Sequence, residues 1–209
     1  MNVVVFGANG KVGSIVVAKL LDAGHGVTAF VYGNSSFQAH PKLTVVSGNV
    51  KEAHDVHQAL AGADVVISTL GSWGTKTKDI LSSGMQTIIP AMQTHGIQRI
   101  VSLTGSAAQA PGDTWGPMGK LNHLLLRLVA PKILRDGEQH IQLLHASNLD
   151  WTVVRSPVMN ESGTERYALT TTLPGLLETI NRHAVAQCLV DQLSDTEHVK
   201  QAPHLHRTQ

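Results

Sequence analysis

The chain has 209 residues, 42% of them hydrophobic and 15% charged, with a formal net charge of +1. This composition supports a substantial buried core, and charges scattered without a basic stripe exclude a nucleic-acid face as the expected function. One cysteine, Cys188, leaves no intramolecular disulfide, and no apolar run approaches the ~18–20 residues of a bilayer span, so the expectation is a cytoplasmic protein without a membrane partner.

The N-terminal Met1-Asn2 runs directly into NVVVF (2–6), the first predicted strand, which leaves no secretion signal to be expected. Further strands are predicted at 27–31 (VTAFV), 43–47 (LTVVS), 64–69 (DVVIST), 98–103 (QRIVSL) and 151–155 (WTVVR). Each is a near-continuous apolar run, the pattern of strands covered by helices on both faces. Between them, residues 12–24, 52–62 and 80–96 carry apolar side chains three and four apart. Each of these helices closes on a glycine, Gly24, Gly62 or Gly96, as a C′ position prefers, and Pro90 is expected to kink the third. From Met118 a long helical pattern follows, expected to break at Pro131 or near Gly137. The helix around 181–193 holds Cys188 as a buried, inert thiol, and the closing HLHRTQ (204–209) reads as a frayed terminus. Strand–helix alternation of this kind predicts an α/β fold, a doubly wound parallel sheet with right-handed crossovers and helices on both faces. One domain over 1–209 is expected, with 156–209 as a small substrate-side elaboration.

The strongest motif is GANGKVG, with Gly7, Gly10 and Gly13 between the first strand and the first helix. One glycine permits the tight turn out of the strand, the next lets a pyrophosphate approach the backbone, and the third allows close helix–sheet packing. The helix N-terminus then offers free N–H groups to the phosphates. The motif makes the predicted sheet Rossmann-type and its ligand a dinucleotide. Which dinucleotide depends on the end of the second strand, where no acid lies between Asp22 and Glu52. Tyr32, Asn34, Ser35 and Ser36 stand there, with Lys11 in the glycine loop and His40 or Lys42 nearby. A site without a carboxylate does not repel a 2′-phosphate, so NADP is favoured over NAD. The other reading is that Tyr32 stacks by the adenine and both cofactors are accepted.

The chain resembles the NmrA-like, NAD(P)H-binding atypical short-chain dehydrogenases, a group that includes flavin reductases of the biliverdin reductase B type. The resemblance rests on blocks at 7–13, 23–31, 45–50, 59–71, 85–101, 147–157 and 180–186, in family order along nearly the whole chain. It implies that Gly7, Asn9, Gly10, Lys11, Val12 and Gly13 surround the cofactor phosphates and that Asn49 and Val50 lie by the adenine. It further implies Leu70 and Gly71 along the ribose, Thr104 and Gly105 beside the nicotinamide, and Pro157 with Val158 closing over it. Three departures stand out: Tyr32 replaces a common Arg, Gly105 replaces a serine and leaves Thr104 and Ser106 as the hydroxyls, and Asp136-Gly137 replaces an Asp-His pair.

The wider superfamily uses Tyr-x-x-x-Lys as its proton donor. Aligned on Lys120, the tyrosine position holds Gly116, and neither Tyr32 nor Tyr167 has the spacing. A positioned acid contributes ~10²–10⁴-fold in rate, so carbonyl and alcohol substrates are disfavoured. Flavins and quinones take hydride into a conjugated system and their proton from water, which makes a small aromatic acceptor the expected partner of an NAD(P)H-dependent reductase. Thr104 and Ser106 are the candidate catalytic hydroxyls. The alternative is an NmrA-like redox sensor that binds cofactor without turnover, with isomerase or epimerase chemistry a third reading. Trp115 and Met118 are candidates for a substrate mouth, and Asp136 reads as a helix N-cap before a pocket acid. His54/His57 and His140/His145 lack ligand spacing and read as solvated, so no metal is expected. A monomer or homodimer is expected.

Overall fold

A computed structural model describes residues 1–73, 75 and 77–208, and for Met118 and Asn122 the backbone alone. The first strand, β1 (Asn2–Phe6), shows why the apolar runs are continuous. Val3 and Val5 enter one core while Val4 and Phe6 enter another, because side chains alternate across a strand and both faces of this sheet are covered. Each buried Val or Phe contributes roughly 1.5–3 kcal/mol relative to exposure.

The sheet continues through β2 (Gly26–Val31), β3 (Leu43–Ser47), β4 (Val65–Ser68), β5 (Arg99–Gly105) and β6 (Asp150–Ser156). The later strands are β7 (Val158–Asn160), β8 (Tyr167–Thr170), β9 (Thr179–Asn181) and β10 (His204–Arg207). Eight strands form one sheet in the order β3-β2-β1-β4-β5-β6-β10-β8, parallel throughout except where β8 meets β10, and β7 and β9 form a separate parallel pair. The first six strands stand where expected, and the order reverses between β1 and β4, the switch point at which doubly wound sheets take their ligands.

Helices α1 (Gly13–Asp22) and α6 (Arg182–Asp191) cover one face, and α2 (Ala53–Leu60), α3 (Ile80–His95) and α5 (Pro131–His145) the other. Cys188 lies in the first of these cores, and burial pushes its thiol well above the ordinary range, as expected of an inert residue. Gly24, Gly62 and Gly96 all adopt positive φ at the helix ends, which the absence of a Cβ permits. α3 runs unbroken through Pro90.

Three expectations are corrected here and one is borne out. β3 is an edge strand with residues half-buried or exposed, not covered on both faces. The expected break at Pro131 is present: α4 (Pro117–Val129) ends before Ala130, and Pro131 takes the first position of α5, where its missing N–H would be unused anyway. Gly137 is no break and sits inside α5. The chain end is not frayed over 204–207: β10 inserts between β6 and β8, with His204 and Leu205 fully buried. Gln209 lies outside the described residues.

A candidate dinucleotide site at the carboxyl edge of the sheet

Gly7, leaving β1, has φ +76°, and a Cβ there would lie 3.0 Å from the backbone of Thr69 and Leu70. A Cβ on Gly13 would come within 2.2 Å of the Gly7 carbonyl and 2.7 Å of Thr69 Oγ1. The first glycine thus serves the turn and the third serves contact between α1 and the strand ends. Ser14 N–H donates to the Gly10 carbonyl at 3.0 Å, whereas the N–H groups of Lys11 and Val12 have no acceptor among the described residues. The first turn of α1 holds no acid and no side-chain cap. Free N–H groups, a positive helix end and an exposed Lys11 are the donors and charge that a phosphate group would need there.

Beyond the loop, Asn9 Nδ2 donates to the Asn34 carbonyl at 2.8 Å, tying the glycine loop to the segment after β2. Tyr32 is 82% exposed, and Ser35 Oγ accepts from Phe37 N–H at 3.1 Å. After β3, Asn49 N–H donates to Asp55 Oδ2 at 2.8 Å, and Asn49 Oδ1 accepts from Lys51 N–H at 3.1 Å. Val50 and Leu70 both pack on Gly84 of α3, where a Cβ would meet Leu70 Cδ1 at 2.8 Å. A Cβ on Gly71 would meet nothing within 4 Å among the described residues.

At the end of β5, Thr104 is buried, Gly105 is exposed, and Ser106 N–H donates to the Ser156 carbonyl at 2.8 Å. Pro157 is buried after β6 and Val158 is 69% exposed. All these candidates lie in loops or strand ends at the carboxyl edge of β1 to β6, so the fold brings them to one rim.

The helix facing β5 is α5, not α4. Gly137 is the residue opposite Thr104, where a Cβ would lie 2.8 Å from Thr104 Oγ1 and 3.0 Å from Ala108 Cβ. Lys120 instead stands exposed on α4, so aligning the missing tyrosine with Gly116 put the absence on the wrong helix. Asp136 is neither the N-cap of its own helix nor an available acid. It is buried within α5 and accepts from Ser72 Oγ, Leu81 N–H, Ser82 N–H and Ser82 Oγ, capping α3 from outside. Two serine hydroxyls and two backbone N–H groups thus meet its oxygens.

His140 is not solvated either: it is fully buried, with Nε2 2.7 Å from Ser102 Oγ and Nδ1 without a partner among the described residues. Burial lowers its pKa to about 4 against the opposing pull of Asp136, so the ring is neutral. Sequence reasoning missed this pair, although Asp136 and His140 stand four residues apart and share a helix face with Gly137. His54 and His145 are exposed as expected, while His57 stacks on His95.

Alongside, a cavity of about 1100 Å³ is lined by Trp115, Leu121, Trp151, Arg155, Leu169 and Leu173 among others. Arg155, in register with Thr104 across β5 and β6, is buried and donates to both carboxylate oxygens of Asp113 and to the carbonyls of Ala108 and Ala202. The side chain of Met118 lies outside the described residues.

Among curated proteins, the chain is 35% identical over 123 residues to a 3-beta-hydroxysteroid dehydrogenase of Mycolicibacterium neoaurum, covering 53% of this chain and 34% of that protein. It is 30% identical to a Mycobacterium tuberculosis 3 beta-hydroxysteroid dehydrogenase/Delta 5-->4-isomerase over the same share of this chain and 33% of the relative. The chain thus spans about a third of the length of the curated relatives it matches. Among solved structures, a short-chain dehydrogenase/reductase from Veillonella parvula in complex with NADP superposes with a TM-score of 0.79 at 19% identity, covering 99% of this chain and 94% of that one. ChuY, an anaerobillin reductase from Escherichia coli O157:H7, gives 0.78 at 18% identity, covering 99% and 97%. These similarities are of fold. A family model described as NAD(P)H-binding matches residues 7–196, nearly the whole chain from the first glycine of the loop onward, and bears out both the resemblance and the cofactor read from the sequence. The protein belongs to this NAD(P)H-binding family.

Proposed function

We propose that the protein is an NAD(P)H-dependent oxidoreductase that reduces a small aromatic acceptor, flavin- or quinone-like. The observation that carries this reading is Gly137 opposite Thr104: the helix flank facing the end of β5 bears no side chain able to deliver a proton. Asp136 beside it is saturated as an acceptor, and His140 is buried and neutral against Ser102. When bound, the nicotinamide supplies the hydride, and the protein's part is orientation and exclusion of water.

In this reading Gly7, Asn9, Gly10, Lys11, Val12 and Gly13 hold the phosphates. Asn49 and Val50 border the adenine, and Leu70 and Gly71 border the ribose. Thr104, Gly105, Pro157 and Val158 enclose the nicotinamide, with Thr104 and Ser106 supplying hydroxyls to orient the acceptor. Tyr32, Asn34 and Ser35, with Lys11, receive the 2′-phosphate, because residues 23–51 contain no acid to repel it. NADPH is therefore expected to bind more tightly than NADH in a direct fluorescence titration; equal or reversed affinities refute that preference.

The test of function follows NADPH oxidation against flavins, quinones, aliphatic carbonyls and 3-ketosteroids. Turnover of flavins or quinones alone supports the proposal. Turnover confined to ketosteroids, the chemistry named for the mycobacterial relatives, overturns it. Cofactor binding without turnover of any acceptor assigns the chain to redox sensing instead.

A further inference from the structure

Among the described residues, every exposed large apolar side chain carried by a helix belongs to α4: Leu121, Leu124, Leu125, Leu128 and Val129. Leu128 and Val129 are the most exposed of these, at 72% and 81%. At 3.6 residues per turn the five share an arc of about 140°. The opposite side of the helix is the one turned to the protein, where His123 Nε2 meets Glu138 Oε1 at 2.7 Å and the His123 ring stacks on Trp115. A helix facing water places its polar residues outward, so this one is inverted. The loop after β8 lies beside the stripe: Leu121 and Leu125 line the same cavity as Leu173 and Leu176, Leu176 is 62% exposed, and residues 168–177 carry no charge.

The charge of this region is one-sided. Residues 114–135 contain Lys120, Arg127, Lys132 and Arg135 and no acid. All four cations are exposed, and none has an ion-pair partner among the described residues. Lys120 and Arg127, two turns apart, border the apolar arc on one flank. A symmetric contact with a second copy would set these cations against their own equivalents. A surface bearing lipid phosphates complements them, and leucines flanked by Lys and Arg fit the boundary between headgroups and acyl chains.

We propose that α4 is an interfacial helix that docks the protein on an anionic lipid bilayer, with its leucine stripe entering the headgroup boundary and Lys120 and Arg127 on its flank meeting lipid phosphates. No helix among the described residues is long and apolar enough to cross a membrane, but lying in the interface requires no such length. The proposal goes beyond the enzymatic reading and stands or falls independently of it.

The experiment is flotation of the full chain with unilamellar vesicles of phosphatidylcholine, with and without phosphatidylglycerol, at low and at high salt. Binding is expected only to the phosphatidylglycerol vesicles and is expected to weaken with salt, as screening requires. Leu128→Asp/Val129→Asp should lower the partition coefficient by about tenfold or more, and so should Lys120→Glu/Arg127→Glu, with melting temperature and NADPH affinity unchanged. The second pair keeps the test decisive should the first fail to fold. Absence of binding to anionic vesicles, equal binding to neutral ones, or full retention by a folded variant overturns the proposal. Sedimentation equilibrium showing a dimer that Leu128→Asp/Val129→Asp dissociates, without vesicle binding, also overturns it and makes the face a contact between copies.

Discussion

Gly10 and Gly13 stand three residues apart in one loop, and substitution at each is expected to fail in a different way. Among the described residues only the Gly7 carbonyl, at 3.0 Å, crowds the Cβ position of Gly10, so a side chain there would project into the proposed phosphate path. Gly10→Asp should abolish dinucleotide binding while leaving the melting temperature within a few degrees; micromolar affinity in that variant, read by NADPH fluorescence, contradicts the site. Gly13 faces backbone instead, with Gly7 O at 2.2 Å from a built Cβ. Gly13→Ala should therefore destabilise the fold itself, by about 1–3 kcal/mol as over-packing typically does, visible as a lower denaturation midpoint without ligand. The packing role of Gly13 was legible in the motif, because the sterics of a missing Cβ are local. The partners of Asp136 were not: its acceptors' donors come from Ser72, Leu81 and Ser82, more than fifty residues away in sequence.

Among the elements, α5 and β10 carry what the sequence pattern concealed. α5 reads as an amphipathic helix, yet its buried face mixes Leu134, Ile141 and Leu144 with Asp136, Gly137 and His140. Periodicity places polar residues on solvent faces, and here three adjoining elements supply the donors and space that make their burial tolerable. β10 is four residues, HLHR, too short and too polar to signal a strand, and it is held by pairing to β6 and β8. Leu205→Asp on this strand should cost about 3 kcal/mol or more, since it buries an unpaired charge in the core shared with α6; a chemical-denaturation midpoint equal to that of the native chain would restore the frayed terminus. Arg155→Met at the neighbouring β6 position should cost roughly 3 kcal/mol by leaving Asp113 without its bidentate partner, and Arg155→Met/Asp113→Asn should recover part of that loss.

For the molecule as a whole, the two buried histidines tie stability to pH. His140 has its pKa lowered to about 4 and His204, packed near Arg155, to about 3, in both cases chiefly by burial. A depressed histidine is neutral in the folded state while the unfolded chain takes up a proton, so its contribution is complete above the unfolded value. It is lost as pH falls from about 6.5 toward the folded pKa, and no further below it. His140 alone accounts for roughly 3 kcal/mol over that window. Urea midpoints should therefore fall between pH 7 and pH 4, and His140→Gln should flatten the slope; an unchanged slope in that variant places the acid sensitivity elsewhere. Saturating NADPH at about a hundred times its Kd should raise stability by about 2.7 kcal/mol in the native chain and by nothing in Gly10→Asp.

Six strands, the three helices between them and the phosphate loop could be read from the chain, because apolar period, helix-ending glycines and a glycine turn are properties of a few adjacent residues. The family came from the resemblance of sequence blocks along nearly the whole chain, and the cofactor from that resemblance together with the glycine loop. Only the folded molecule decided that α5 rather than α4 faces Thr104, that Asp136 caps α3, that His140 closes on Ser102, and that the chain's last strand enters the sheet. Each of these depends on which distant element packs against which, and a pattern of period two or three and a half specifies a face without naming its partner.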